Sequence, residues 1–116
     1  MATTPSILIV SGGNAKVATW TGLANGQSGD HIEENIWADR SVQVIGTFGA
    51  NGAVTIEGSN DGVNWSTLSD PQGNALVFTT SKIETVVEIC RYIRPSITDG
   101  DGTTDLTVHL FMRGNL

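Results

Sequence analysis

The fold of this chain is decided by residues 54–65, which read V-T-I-E-G-S-N-D-G-V-N-W. Apolar and polar side chains alternate at the start of this stretch, which is the pattern of a half-buried strand. The segment N-D-G then supplies a tight turn, and Trp65 starts the next strand. Residues 91–108, R-Y-I-R-P-S-I-T-D-G-D-G-T-T-D-L-T-V, repeat the order of strand, acidic glycine turn and strand. Both blocks predict β structure, and neither specifies a reaction.

Elsewhere, short runs rich in Val, Ile and Thr are separated by Gly, Asn and Asp. This pattern is typical of an all-β protein, and we predict an antiparallel β-sandwich or jelly roll with short loops. Apolar residues at helical spacing occur at 31–40, where we expect at most one helical turn. The predicted strands are 7–11, 15–20, 41–48, 53–59, 65–68, 76–79, 85–90, 92–97 and 105–113.

The last of these strands shows the clearest alternation. Leu106, Val108, Leu110 and Met112 fall on one face, and polar residues lie between them. The apolar set should therefore point into the core. Phe111 interrupts the polar face, which indicates that the outer side of the sheet is covered there as well.

The composition fits a single domain. At 116 residues, with 39% hydrophobic and 16% charged side chains, the chain can bury a core without disulfides or metals. We predict one domain over residues 1–116, in which residues 1–6 form a possible N-terminal arm. The single cysteine, Cys90, lies in an apolar run and should be buried as a small hydrophobe.

The net charge argues against nucleic acid and membranes as partners, and the N-terminal sequence argues against a secretory signal. A net charge of -6 repels phosphate backbones and anionic lipids, so we expect neither nucleic acid nor a membrane as a partner. No stretch approaches the ~18 apolar residues that a bilayer span needs. The N-terminus, M-A-T-T-P, lacks the pattern of a secretory signal. We expect a soluble protein that is not exported by such a signal.

The loop 99–105, D-G-D-G-T-T-D, alternates carboxylates with glycines, which is a pattern that calcium can use. Its spacing departs from that of an EF-hand, because Thr104 stands where glycine is needed and Leu110 where a bidentate glutamate is needed. We interpret the loop as a structural turn, and weak ion binding is the alternative. We predict no metal and no cofactor.

Catalytic signatures are missing from the sequence. Nucleophilic catalysis needs a serine or cysteine beside an oriented histidine. The two histidines, His31 and His109, have no such motif around them, and the carboxylates are not spaced as a catalytic pair. We predict no catalytic residue and expect that the protein is not an enzyme.

Aromatic residues offer a different chemistry. Trp20, Trp37, Trp65 and Tyr92 could form a platform on which a sugar ring stacks, as in carbohydrate-binding β-sandwich modules. Packing in or over the core is the favoured interpretation of these rings, and Trp65 in particular suits a lid over one end of the core.

The two strand-turn-strand blocks, together with L-S-D-P-Q-G-N-A-L at 68–76, resemble small virion proteins of tailed bacteriophages, in particular their head decoration (cement) proteins. The likeness covers residues 47–113. The pair S-N-D-G-V-N-W and R-Y-I-R also resembles part of the discoidin-type jelly rolls. This chain is shorter than that family and lacks its cysteine pair, so we do not carry over its ligands.

Resemblance to cement proteins implies a β-sandwich on the outer surface of a bacteriophage capsid. It implies a homotrimer, or less often a dimer, that bridges capsomers and stabilises the expanded head. The implied partners are the major capsid protein and the chain itself, and synthesis would take place in the host cytoplasm. A carbohydrate-binding module and a tail or baseplate protein are the alternatives.

In such a protein, the uncharged N-terminus could act as an arm that adds a strand to a capsid protein or a neighbouring subunit. The candidate contact residues are Ala2, Thr3, Thr4, Pro5, Ser6 and Ile7. An ordinary first strand with a frayed end is the alternative interpretation of the same residues.

Overall fold

The computed structural model describes residues 3–4, 7–10, 14–33 and 37–114. Over these residues the chain consists of strands and loops without a helix, so the predicted all-β class is confirmed. Two sheets pack around one hydrophobic core in a sandwich-like arrangement. Nothing in the described part is a helix of the length and apolarity that crossing a membrane requires.

The first sheet contains, in spatial order, β1 (Thr3–Thr4), β4 (Ser28–Gly29), β10 (Tyr92–Asp99), β6 (Ala53–Ser59) and β7 (Ser66–Thr67), and β8 (Val77–Phe78) also pairs with β6. The second sheet contains β2 (Ile7–Val10), β3 (Ala15–Leu23), β11 (Asp105–Arg113), β5 (Asp39–Thr47) and β9 (Lys82–Thr85). All of these pairings are antiparallel except the short parallel pairing of β1 with β4.

β11 is the central strand of the second sheet and pairs with both β5 and β3. Leu106, Val108, Leu110 and Met112 are all at most 1% exposed, which confirms the predicted inward face. They join inward side chains of the first sheet in one core cluster. Complete burial of each such side chain contributes about 1.5–3 kcal/mol, so this strand holds a large share of the core energy.

The two N-terminal strands, β1 and β2, are edge strands. β1 pairs with β4 at one end of the first sheet, and β2 pairs with β3 at one end of the second. The segment 3–10 therefore passes from one sheet to the other. The sequence did not predict β1 or β4, because a two-residue strand is too short to show an alternating pattern.

The predicted strand 85–90 is wrong. The strand at this place is β9, which ends at Thr85. The amide of Val86 still donates to the carbonyl of Arg40 in β5 at 3.1 Å, but the amide of Val87 donates to the carbonyl of Ser69 at 3.0 Å, in a loop that follows β7. The backbone partners therefore change from one sheet to the other along this segment.

Burial in the same segment explains why it resembled a strand. Val86 and Cys90 are buried, whereas Val87 and Ile89 are exposed. This alternation has the period of a strand although no continuous ladder supports it. The expected burial of Cys90 is confirmed, and its thiol donates to the carbonyl of Tyr92 at 3.2 Å.

The helical turn considered at 31–40 is not found in the described part of that segment. Ile32 exchanges two backbone hydrogen bonds with Ile93, at 3.0 and 3.1 Å, and so extends the first sheet. Asp39 already begins β5. Positions 34–36 lie outside the described residues.

Two carboxylates fix the turns that the sequence indicated. Asp61 accepts hydrogen bonds from the amides of Val63 and Asn64, each at 2.8 Å, and these bonds hold its pKa well below the ordinary value. Asp101 links two loops at one end of the sandwich, because it accepts from the amide of Ala50 at 2.8 Å and from the hydroxyl of Thr103 at 2.6 Å. The bonds from Thr103 and Ala50 lower the pKa of Asp101 to about 2.

Gly58 provides a test of core packing. A Cβ on Gly58 would lie 2.6 Å from Cys90 Sγ and 2.7 Å from Leu68 Cδ2. We expect Gly58→Ala to lower the free energy of unfolding by about 1–3 kcal/mol in urea titrations, because the buried neighbours must shift. Gly102→Ala is the control, since a Cβ there meets no atom within 4 Å. Equal stability of the two variants would contradict this packing.

Asp101 provides a test by pH. Its folded-state pKa of about 2 lies below the ordinary 3.8, so its stabilisation is complete above pH 3.8 and disappears as the pH falls towards 2. Above pH 3.8, Asp101→Asn should have a lower melting temperature than the wild type. As the pH falls from 3.8 to about 2, the melting temperature of the variant should decrease less than that of the wild type. Asp30→Asn, which removes the same charge elsewhere, serves as the control. If acid lowers the melting temperature of Asp101→Asn as much as that of the wild type, this role of Asp101 is ruled out.

Candidate functional site

The outer face of the second sheet carries several exposed apolar side chains. Phe111 pairs in register with Val17 and Ser41, and Ile83 pairs with Gln43. Ser41, Gln43 and Phe111 alternate with buried neighbours, so they project away from the core, and Ile83 shares this side through its pairing with Gln43. Phe111 is 38% exposed and Ile83 is 58% exposed. The cover expected over Phe111 is thus incomplete within the described residues of one chain.

Two grooves border the ring of Phe111. One has a volume of about 470 Å³ and is lined by Val87 and Ile89 from the crossing segment after β9 and also by the charged residues Asp39, Arg40 and Arg113. The other, of about 260 Å³, is lined by Val17 and Ile83. We call the apolar part of this outer surface the apolar face. It comprises Val17, Ile83, Val87, Ile89 and Phe111 around the two grooves, together with Ile45 further along β5.

Charged side chains on the outer side of β11 stand only at its two ends. Asp105 is exposed at the start of the strand. Arg113 at its end donates to Asp39 at 2.9 Å in an exposed ion pair. At the midpoint, His109 Nδ1 shares a hydrogen bond of 2.9 Å with the hydroxyl of Thr19. The middle of the outer side of β11 therefore carries no Asp, Glu, Lys or Arg side chain, which suits contact with an uncharged protein surface.

The predicted N-terminal contact residues are only partly described. Thr3 and Thr4 pair with Ser28 and Gly29, and Ile7 pairs with Thr19. Ala2, Pro5 and Ser6 lie outside the described residues. β1 and β2 stand last in the strand order of their sheets, so each has one edge without a partner strand among the described residues. Such an edge can accept a strand from another protein.

The predicted aromatic platform is divided between the core and the surface. Trp20 and Trp37 are 1% and 7% exposed, so they pack in the core. Trp65 is half-buried and is not a lid over the core. The guanidinium of Arg94, on the outer side of β10, lies 4.0 Å from the ring centroid of Trp65. Because Arg94 occupies one face of this ring, the ring offers little free area for a sugar.

His31 completes this surface cluster. Its ring centroid lies 4.8 Å from that of Tyr92 and 5.7 Å from that of Trp65. Arg94 also donates to Glu57 at 2.9 Å. These contacts attach the loop after β4 to the first sheet. Within this cluster the side chains serve as one another's partners.

The groups considered for metal binding and catalysis are not brought together. Among the described residues, no three His, Cys, Asp or Glu side chains are placed to hold a metal ion. In the loop 99–105, the carboxylate oxygens of Asp101 already accept backbone and hydroxyl hydrogen bonds, and Asp99 accepts from the amide of Gly100 at 2.8 Å. His31 and His109 lie on different sheets, against Tyr92 and Thr19 respectively.

Comparison with known proteins gives a likeness of fold. No protein-family model matches the sequence, and no curated protein matches it either. The crystal structure of the SPBc2 prophage-derived protein YomS is similar, with a TM-score of 0.64 over 90% of this chain and 98% of that chain. The two sequences are 11% identical, so the likeness shows a shared all-β fold.

Proposed function

We propose that this chain is a structural protein of a bacteriophage, and specifically a head decoration (cement) protein. It would bind the major capsid protein on the outer surface of the head and stabilise the expanded capsid by bridging capsomers. The observation that carries the proposal is the fold it shares with a prophage-derived protein over 90% of its length. The strand-turn-strand blocks that resemble cement proteins support the same origin.

The proposed role requires surfaces rather than a reacting group. The described residues offer an apolar face on the second sheet and unpaired edges at β1 and β2. Their histidines and carboxylates are engaged in local contacts such as Thr19–His109 and Ala50–Asp101. We therefore propose that the protein is not an enzyme and that its binding surfaces perform its function.

The unpaired edges suit attachment to a capsid. A strand of the major capsid protein could add to the free edge of β1 through backbone hydrogen bonds, as in β-augmentation. Ala2, Thr3, Thr4, Pro5, Ser6 and Ile7 are the proposed contact residues. Thr3, Thr4 and Ile7 already pair within this chain, so the capsid strand would join the far side of these strands rather than replace their partners.

Stabilisation of the head follows from mass action. A protein that binds the assembled lattice and not its free subunits shifts the equilibrium against disassembly by RT ln(1 + [L]/Kd) at each site. A homotrimer or homodimer that contacts several capsomers at once gains further affinity through avidity. After synthesis in the host cytoplasm, the protein would therefore be retained on the virion surface.

The proposal is tested by binding to purified heads. The full-length protein should co-sediment with expanded heads, should not co-sediment with unexpanded heads, and should raise the temperature at which expanded heads release DNA. Cryo-electron microscopy of virions with and without the chain should show density on the head. Density on the tail or baseplate, or no density on the virion, would overturn the assignment as a head protein.

The N-terminal contact has its own test. Deletion of residues 1–6 removes β1 but keeps β2, so the sandwich and its self-association should persist while binding to expanded heads is lost. Circular dichroism and light scattering check the fold and the oligomer, and co-sedimentation measures the binding. Val63→Ser, at an exposed turn residue away from both edges, is the control and should bind as the wild type does. Full binding by the deletion variant would eliminate the arm.

A further inference from the structure

We propose that the apolar face is the surface through which two copies of this chain pair about a two-fold axis. The inference rests on the self-association that is part of the proposed function, and it assigns that self-association to a surface. Of the two assemblies that the resemblance implies, it selects the dimer. It can be tested without a capsid.

Exposed apolar side chains are concentrated on this face. The described residues include seven large hydrophobic side chains that are exposed, and five of them belong to the apolar face. These five are Ile45, Ile83, Val87, Ile89 and Phe111. The other two, Val63 and Val77, lie in a turn and in β8. Val87 and Ile89 line one groove with Phe111, and Ile83 lines the other with Phe111, so these four side chains adjoin one another. Adjoining exposed apolar groups of this kind mark a protein contact.

The face supplies more than half the area of a standard contact. Its three long strands, β3, β5 and β11, have nine residues each. At the usual rise and strand spacing these strands are about 30 Å long and together about 15 Å wide, which gives a footprint of roughly 450 Å². Each partner in a standard protein interface contributes about 800 Å². The walls of the two grooves beside Phe111 supply additional area.

The opposite charges at the two ends of β11, Asp105 and Arg113, are self-complementary and so favour a second copy as the partner. The whole chain carries a charge of -6, so two copies repel each other over most of their surfaces. On β11 the outward side chains between Asp105 and Arg113 are Thr107, His109 and Phe111, none of which is an Asp, Glu, Lys or Arg. Two like-charged copies can therefore approach most closely here.

The positions of the charges also define the orientation. When two apolar faces stack with their β11 strands antiparallel, Arg113 of each copy meets Asp105 of the other, and symmetry forms this contact twice. Such an isologous arrangement is closed, so it gives a dimer and not a fibre. The axis then passes over His109, the midpoint of β11.

The same orientation places apolar groups together. Ile45 pairs in register with Thr107, and Phe111 lies the same distance from the midpoint on the opposite side. Each Phe111 ring therefore lies opposite Thr107 of the second copy, with Ile45 beside it on the adjoining strand. Aromatic rings that become buried between two partners are typical energetic centres of an interface.

Sedimentation equilibrium of the full chain tests the pairing. The wild type should be a dimer, and Phe111→Lys and Ile83→Lys should each raise the dissociation constant by at least about 30-fold, as loss of a central interface residue does. Val63→Lys is the matched control, because it introduces the same charge at an exposed apolar residue outside the face. Circular dichroism confirms that each variant is folded.

Cross-linking provides an independent measurement of the axis. Stacked sheets lie ~10 Å apart, which is too far for a disulfide but within reach of a short bis-maleimide. His109→Cys should cross-link efficiently to a second copy, whereas Val63→Cys and the wild type, with its buried Cys90, should not.

Three results would overturn the inference. The first is a wild type that stays monomeric at all concentrations, in which case the face remains available to the capsid protein. The second is a trimer, and the third is a dimer that both lysine variants leave intact. None of these measurements uses a capsid, so their outcome does not depend on whether the protein co-sediments with heads.

Discussion

The structure depends on the position of β11 at the centre of the second sheet, between β3 and β5. Its inward side chains, from Leu106 to Met112, are fully buried against the first sheet, so its register is fixed. A shift of one residue would exchange every inward and outward side chain. The same constraint forces Phe111 outward, because its neighbours Leu110 and Met112 must point inward. The apolar face is therefore a direct consequence of how the core is built.

Several acidic residues of this chain have structural roles, because their carboxylates accept hydrogen bonds from backbone amides. Asp61 and Asp101 accept backbone amides in turns, and Glu88 accepts the amide of Ser69 at 2.7 Å, which holds the pKa of Glu88 below its ordinary value. Asp70 accepts the amides of Gln72 and Asn74 in the same way, each at 2.9 Å. Carboxylates held in this way satisfy turn amides that have no strand partner.

Much of the fold was predictable, and the failures have identifiable causes. Long strands such as Ala53–Ser59 and Asp105–Arg113 were located to the residue because alternation persists over their length. The segment 85–90 was misassigned because burial alternates there although its backbone partners change between sheets. Strands as short as Thr3–Thr4 show no period at all. Of the candidate surfaces, the sequence indicated the interruption at Phe111 and the N-terminal contact residues, but not the two grooves beside Phe111.

The sequence by itself determined the fold class, the inward face of β11 and the turn residues, because each of these depends on neighbours within a few positions along the chain. Only the tertiary structure decided which surfaces are available for contact. Ile83, Ile89 and Phe111 come from separate segments, and they share a face because β9 pairs with β5 and the chain then crosses the end of the sheet. Likewise, Arg94 covers Trp65 because β10 and the segment around β7 both flank β6. Contacts between distant segments depend on strand order, and local alternation does not specify strand order.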